Sequence, residues 1–169
     1  KRIAEARQHS TNMNSRKSKR EEFVIFYGAD RSAYETRNGK TVCIDDEIPF
    51  EIPNSWAWCR LRDLGEFVGG HTPSLADKSN WENGSILWVT SKDMKQKYIS
   101  DTGNKVSRKG AKELQILPSG SLLMVTRSGI LRRTFPIAIA AKPLTINQDQ
   151  RALRFHLQGI EEYVYCVLK

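Results

Sequence analysis

Pro53, Trp56 and Trp58 set the tightest constraint on what this chain can fold into. Pro53 locks its own φ and steers Ile52 away from helix, so the segment reads as extended. On an extended chain Trp56 and Trp58, two apart, face the same side of a sheet. Two indoles on one face bring enough apolar area to seed a core. Leu61, Leu64 and Phe67 follow at helix-compatible spacing, until Gly69-Gly70 and Thr72-Pro73 break regular structure. The stretch predicts the start of a folded domain that runs into an irregular, polar-tipped loop at 70–74.

The rest of the chain reads mainly as short strands. Phe23–Tyr27 is strand-like and is closed by Gly28 and Asp30. Tyr34–Arg37 and Lys40–Ile44 flank Asn38-Gly39, a strong hairpin signal because both residues tolerate positive φ. The acidic Asp45-Asp46-Glu47 then leads to Pro49 and Pro53. Ile86–Thr90, Ser121–Thr126, Ile137–Ala140 and Ala152–Leu157 are further apolar runs of strand length. Trp81–Gly84 is a turn, and Ser91 is placed to cap the turn after Thr90. Ser107, Ala111 and Leu114 predict a short helix with Ser107 as N-cap, stopped before Pro118-Ser119-Gly120. At the other end, Ile160, Val164, Val167 and Leu168 share one face of an amphipathic helix that the end of the chain cuts short. The fold class is therefore α+β, a compact mixed domain of short twisted strands with a few short helices, flanked by ends of longer helices. Residues 1–22 read as the end of a helix and a basic linker. Residues 23–169 read as one domain, with a lead-in hairpin over 23–50 and a main body over 51–169.

A length of 169 residues fits one ordinary domain. The chain starts at Lys1 and ends within an apolar-rich run, as a piece of a longer polypeptide would. The longest apolar run, Pro136–Ala141, is far short of a membrane span, and no secretory signal is visible. Cys43, Cys59 and Cys166 are odd in number and show no C-x-x-C spacing, which fits a reducing cytoplasm rather than a disulfide framework or a zinc site. The net charge of +8 is unevenly spread. Residues 1–20 carry seven basic side chains and one acid; residues 21–91 carry six basic and twelve acidic. Residues 92–133 then carry ten basic and three acidic side chains. Such local polarity attracts phosphates better than a uniform mild excess would.

Catalytic signatures are missing from the sequence. His9, His71 and His156 have no metal-ligand spacing, and no nucleophile elbow, P-loop or dinucleotide fingerprint is present. The expectation is a non-catalytic binding module with no cofactor of its own. Base readout needs Arg, Lys, Asn, Gln, Ser or Thr on rigid loops. Four segments supply them: 70–74, 91–97, 127–133 and 147–150. The candidate DNA-binding residues are Thr72, Ser74, Lys92, Lys95, Lys97, Lys105, Arg108, Arg127, Ser128, Arg132, Arg133 and Gln148. Arg127 follows a strand directly, so its fork starts from a fixed platform, whereas Lys105 and Arg108 suit phosphates, where charge matters more than geometry. Plainer roles stand beside these. Thr72-Pro73 also makes a rigid turn, and Asn147 and Gln148 also tie down neighbouring backbone. All four tryptophans read as core rather than as base-stacking platforms.

Several ordered motifs carry a resemblance. I-P-x-x-W-x-W-x-x-L at 52–61 leads to G-x-T-P-S at 70–74, preceded by Y-E-x-x-N-G-K and C-I-D-D-E-I-P-F-E-I-P. I-x-W-V-T-x-x-D-M follows at 86–94, then L-P-x-G-S-L-L at 117–123 with R-S-G-I at 127–130, then Asn147-Gln148. From about Phe23 onward the chain resembles a target recognition domain of the specificity subunit of a type I restriction–modification system. The resemblance implies a subunit with two such domains separated by long helices, each reading half of a split DNA site. It also implies docking of methyltransferase subunits, which recruit the nuclease–translocase (restriction) subunit, with S-adenosylmethionine, ATP and magnesium bound by those partners. Motifs shared by domains of different specificity cannot set specificity, so Lys95-Gln96-Lys97 and Leu131-Arg132-Arg133 are the better reading heads. A recognition domain of a single-chain type II restriction–modification enzyme, or a protein-interaction module facing an acidic partner, are the alternatives.

Overall fold

In the computed structural model, which describes residues 23–169, Asn38 and Gly39 turn the chain with φ of +52° and +77°. Two successive positive φ values match the right-handed twist of a two-residue hairpin, and these two residues adopt them at little cost. The hairpin joins β2 (Ala33–Arg37) to β3 (Lys40–Cys43), and β1 (Phe23–Tyr27) adds to the free edge of β2, all antiparallel. The expected helix end and basic linker over 1–22 lie outside the described residues.

The chain divides into two compact units, a first ending at Leu64 and a second spanning Gly65–Lys169. In the first, the side chains of Glu35 and Arg37 point to one face of β2 and meet charges from the 45–63 segment. Arg37 bonds Glu35 and Asp63, and Arg60 bonds Glu35 and Glu47. Phe50 packs on Trp58 with ring centroids 5.2 Å apart. The shared-face expectation for the two indoles is corrected here. Trp56 N–H donates to the Pro53 carbonyl (2.8 Å), and this turn takes the segment out of extended geometry. Trp56 is 57% exposed rather than core, while Trp58 is half-buried. The helix-compatible spacing of Leu61, Leu64 and Phe67 also gives way, because a single 3-10 turn at Leu61–Asp63 is followed by a strand, β4 (Gly65–Gly69).

In the second unit a five-stranded sheet has the order β4-β11-β8-β9-β6, with β6 Tyr98–Ile99, β8 Leu122–Val125, β9 Ile137–Ala140 and β11 Gln150–Phe155. A three-stranded sheet has the order β10-β5-β7, with β5 Ile86–Val89, β7 Lys105–Val106 and β10 Thr145–Ile146. Side chains of both sheets meet in one core, where Val68, Leu123, Val125, Ala138 and Ala152 join Leu87, Val89, Leu144 and Ile146. Burial of each large side chain there stabilises the fold by about 1.5–3 kcal/mol. β8 and β9 are buried along their whole length, which explains their unbroken apolar sequences. A second cluster forms around Trp88, Val106 and Ala111, with Trp81 set edge-on to Trp88 at 5.0 Å. The helix expected after Ser107 is only a 3-10 turn, Gly110–Glu113. Its N-cap position is Lys109 rather than the expected Ser107, whose Oγ accepts from Gly110 N–H at 3.1 Å two residues further out. The C-terminal helix α1 (Glu161–Leu168) buries Val164 and packs on β9. The α+β class holds.

Candidate nucleic-acid interface

Strand direction gathers four loops at one rim of the second unit. β5 and β10 are parallel and end together at Val89 and Ile146. Four residues after Ile146, β11 starts at Gln150, opposite Val125, where β8 ends. Arg151, the next residue of β11, faces Gly69, the end of β4. The loops leaving β4, β5, β8 and β10 therefore emerge side by side, although they lie far apart in sequence.

Backbone and side-chain bonds fasten these loops to one another. Gly70 N–H donates to the Gln150 carbonyl (3.3 Å), and His71 N–H to the Ile146 carbonyl (3.1 Å). Trp88 Nε1 donates to the His71 carbonyl (3.1 Å), so the indole that fills the second cluster also holds the 70–74 loop. The Thr72 hydroxyl bonds the Gln148 side-chain carbonyl. Asn147 N–H reaches the Val89 carbonyl (3.1 Å), joining the 147–150 loop to the end of β5. Thr126 N–H and Arg127 N–H both donate to the Asp149 carbonyl, at 2.9 and 3.1 Å. Arg127 Nε donates to Asp149 Oδ1 at 3.1 Å, and the arginine side chain remains 72% exposed. From Thr126 to Phe135 every residue is exposed, yet the connection is ordered by a 3-10 turn at Gly129–Arg132, with the Ser128 hydroxyl accepting from Ile130 N–H.

The twelve candidate residues thus separate by place. Thr72, Gln148, Arg127 and Ser128 stand together on the fastened rim, with Arg132 and Arg133 on the same β8–β9 connection. Lys92 and Lys95 are exposed on the loop leaving β5, which Asp93 shapes by accepting from both the N–H and the hydroxyl of Thr90. No ion pair among the described residues engages Lys92, Lys95, Arg132 or Arg133. Ser74 is tied to the 80–81 segment, its carbonyl accepting from Asn80 Nδ2 and Trp81 Nε1 at 3.1 Å each. Lys97 is bound to α1, paired with Glu162 and lying over the rings of Tyr98 and Tyr165. The Glu162 carboxylate raises the Lys97 ammonium above the ordinary lysine value. Lys105, paired with Asp101 at 3.1 Å, and Arg108 lie toward the start of β5, away from its rim end. Asp149 is the rim residue the sequence reading did not put forward. Its partner Arg127 is 22 positions away, so no local pattern signals it.

Among the described residues no cluster of three or more His, Cys, Asp or Glu is placed to hold a metal ion. What the rim offers is directional hydrogen-bond donors and cations with no ion-pair partner among the described residues, on a stiff support, the combination that reads base edges and phosphates.

Comparison with known proteins places the fold in a class. Over 71% of its length the chain superposes on the HsdS subunit of Thermoanaerobacter tengcongensis, with a TM-score of 0.53 and 17% identity, covering 28% of that chain. A chain from a structure addressing complex assembly and conformational transition of the type I R-M system gives a TM-score of 0.55 at 18% identity, again over 71% of this chain and 28% of the other. In sequence, the chain is 33% identical over 113 residues to the type I restriction enzyme EcoR124I/EcoR124II specificity subunit of Escherichia coli, 66% of this chain. It is 36% identical over 124 residues, 70% of this chain, to the MjaIX specificity subunit of Methanocaldococcus jannaschii. It spans 28% of the length of each of these curated relatives. No family model matches the chain. The chain is thus homologous to type I restriction enzyme specificity subunits, and a target recognition domain of such a subunit fits both its sequence and its fold.

Proposed function

We propose that the second unit reads one half of a bipartite DNA target and directs methyltransferase and restriction subunits to it, as the non-catalytic specificity component of a type I restriction–modification complex. The observation that carries this reading is the convergence of four loops on one rim, where Arg127 is held by Asp149 and, among the described residues, no ion pair engages Lys92, Lys95, Arg132 or Arg133. The relatives are named as specificity subunits, and one structural neighbour comes from an assembled type I system. Under this reading S-adenosylmethionine, ATP and magnesium belong to the partner subunits, and the complex works in the cytoplasm.

The test is duplex binding by the native protein, purified with any subunits that accompany it, at several salt concentrations. Each phosphate contact contributes about 0.9 to the slope of log affinity against log salt. The pair Arg132→Ala/Arg133→Ala is expected to flatten that slope by about 1–2 and to weaken binding to all sequences alike. A slope unchanged by the double substitution moves the DNA face off this rim. Absence of duplex binding by the wild-type assembly at low salt overturns the function.

A further inference from the structure

The Arg127–Asp149 pair has a geometry that a phosphate contact does not need. Asp149 neutralises Arg127, so the pair as a unit carries little net charge for a phosphate to attract. What it keeps is direction. Arg127 is clamped by its own N–H and by Nε, both on Asp149 at 3.1 Å. Asp149 is clamped in turn: its carbonyl also takes Thr126 N–H, and Oδ2 takes Asn147 Nδ2 at 3.5 Å. Asn147 is fixed to Val89 at the end of a core strand. A chain of fixed groups thus runs from β5 to the guanidinium and uses only its Nε, leaving the two terminal amino groups without an ion-pair partner among the described residues. A planar fork with two parallel donors matches the O6 and N7 acceptors of guanine in the major groove. Arg132 and Arg133, by contrast, have no such clamp and suit phosphates.

We propose that Arg127 reads a guanine of the target half-site through its two terminal amino groups, and that Asp149 is the positioning residue that fixes the plane of the fork. This rests on the DNA-recognition reading above. It adds to that reading one base contact, which the shared R-S-G-I motif would make common to related domains rather than distinctive of this one, and a residue, Asp149, that positions it.

The experiment starts from a duplex selected out of a random-sequence pool by the wild-type assembly. Each guanine of the selected site is then replaced singly by 7-deazaguanine, which lacks the N7 acceptor. Wild type is expected to lose about 5-fold or more in affinity at one position, the lower end of the range for a bidentate base contact, because the O6 acceptor remains. For Arg127→Ala, which removes the fork, and for Asp149→Ala, which keeps the fork and loses its clamp, the guanine-to-7-deazaguanine ratio at that position falls toward one. A purely structural role for Asp149 would weaken both duplexes equally and preserve the ratio, which would overturn its positioning role. A selected site in which no guanine is sensitive overturns the Arg127 assignment while leaving DNA recognition standing. A wild-type assembly that enriches no duplex overturns both.

Discussion

Arg37 and Asp63 meet through two parallel hydrogen bonds, Nη1 to Oδ1 at 3.2 Å and Nη2 to Oδ2 at 2.7 Å, and the Asp63 side chain is fully buried. They tie strand β2 to the 3-10 turn that closes the first unit. Removing one member of a buried pair strands the other charge in a medium that cannot solvate it. Asp63→Ala should therefore destabilise the first unit by about 3 kcal/mol, the low end for such a break, because Arg37 keeps Glu35. Arg60→Ala, which removes a more exposed cation, should cost about 1 kcal/mol. Hydrogen exchange at the β2 amides reads both losses, and the reverse order would contradict this account of the network.

The same network sets an acid limit. Burial pushes the Glu35 carboxyl up, but bonds from Arg60 and Arg37 outweigh it and hold the group below the ordinary glutamate value. The unfolded chain then takes up this proton at a higher pH than the folded one. Stability from Glu35 is complete above the unfolded value, about 4.3, and is lost as pH falls through the lower folded value. In the second unit Lys109 at 2.8 Å, with help from Ser79, brings the Asp77 carboxyl down to about 2. A carbon-detected NMR titration should find Asp77 half-protonated near pH 2. In Lys109→Ala that midpoint should climb back toward 3.8, and a midpoint that stays put would remove the ion pair as its cause.

Local chemistry was legible in the sequence and long-range assembly was not. Asn38-Gly39 announced its hairpin because a two-residue turn depends only on its own φ values. Ser121–Thr126 and Ile137–Ala140 read as strands because burial on both faces leaves an unbroken apolar run. β6, β7 and β10 are two residues each, too short for any period to register. Leu61, Leu64 and Phe67 matched a helical spacing by coincidence, since Gly65 sits against the Arg154 carbonyl on a neighbouring strand, with no room for a side chain. The four polar loops were visible as separate segments. Their meeting at one rim follows from strand direction, which composition and spacing do not encode.

Thiol reactivity offers an independent check on the first unit. Cys43 and Cys166 are exposed, whereas Cys59 is half-buried, and burial followed by the nearby Asp63 charge pushes its thiol up. Because the thiolate is the reacting form, Cys59 should alkylate more slowly than the other two near neutral pH. Mass spectrometry after timed iodoacetamide exposure would show it. Equal rates at all three positions would mean that Cys59 is as accessible in solution as Cys43 and Cys166.

Gly70 makes the rim possible, and its substitution tests whether the four loops act as one support. A Cβ placed there would lie 1.9 Å from the Asn147 carbonyl oxygen and 2.5 Å from that of Ile146. Both obstacles are backbone atoms held by other bonds: His71 N–H on Ile146, and Asn147 N–H on Val89. No flexible side chain can yield, so Gly70→Ala must push the 70–74 and 147–150 loops apart. That separation breaks the Thr72–Gln148 bond and disturbs the Asn147–Asp149 support beneath Arg127. The cost should be about 1–3 kcal/mol, as for other overpacked sites, with a lower melting temperature and a loss of duplex affinity measured in the same preparation. Gly103→Ala is the control, because a Cβ there meets nothing within 4 Å, and its stability should stay within about 0.5 kcal/mol of wild type. If Gly70→Ala melts and binds like Gly103→Ala, the loops are not packed against one another. Arg127 would then lack the fixed platform on which its reading of a base depends.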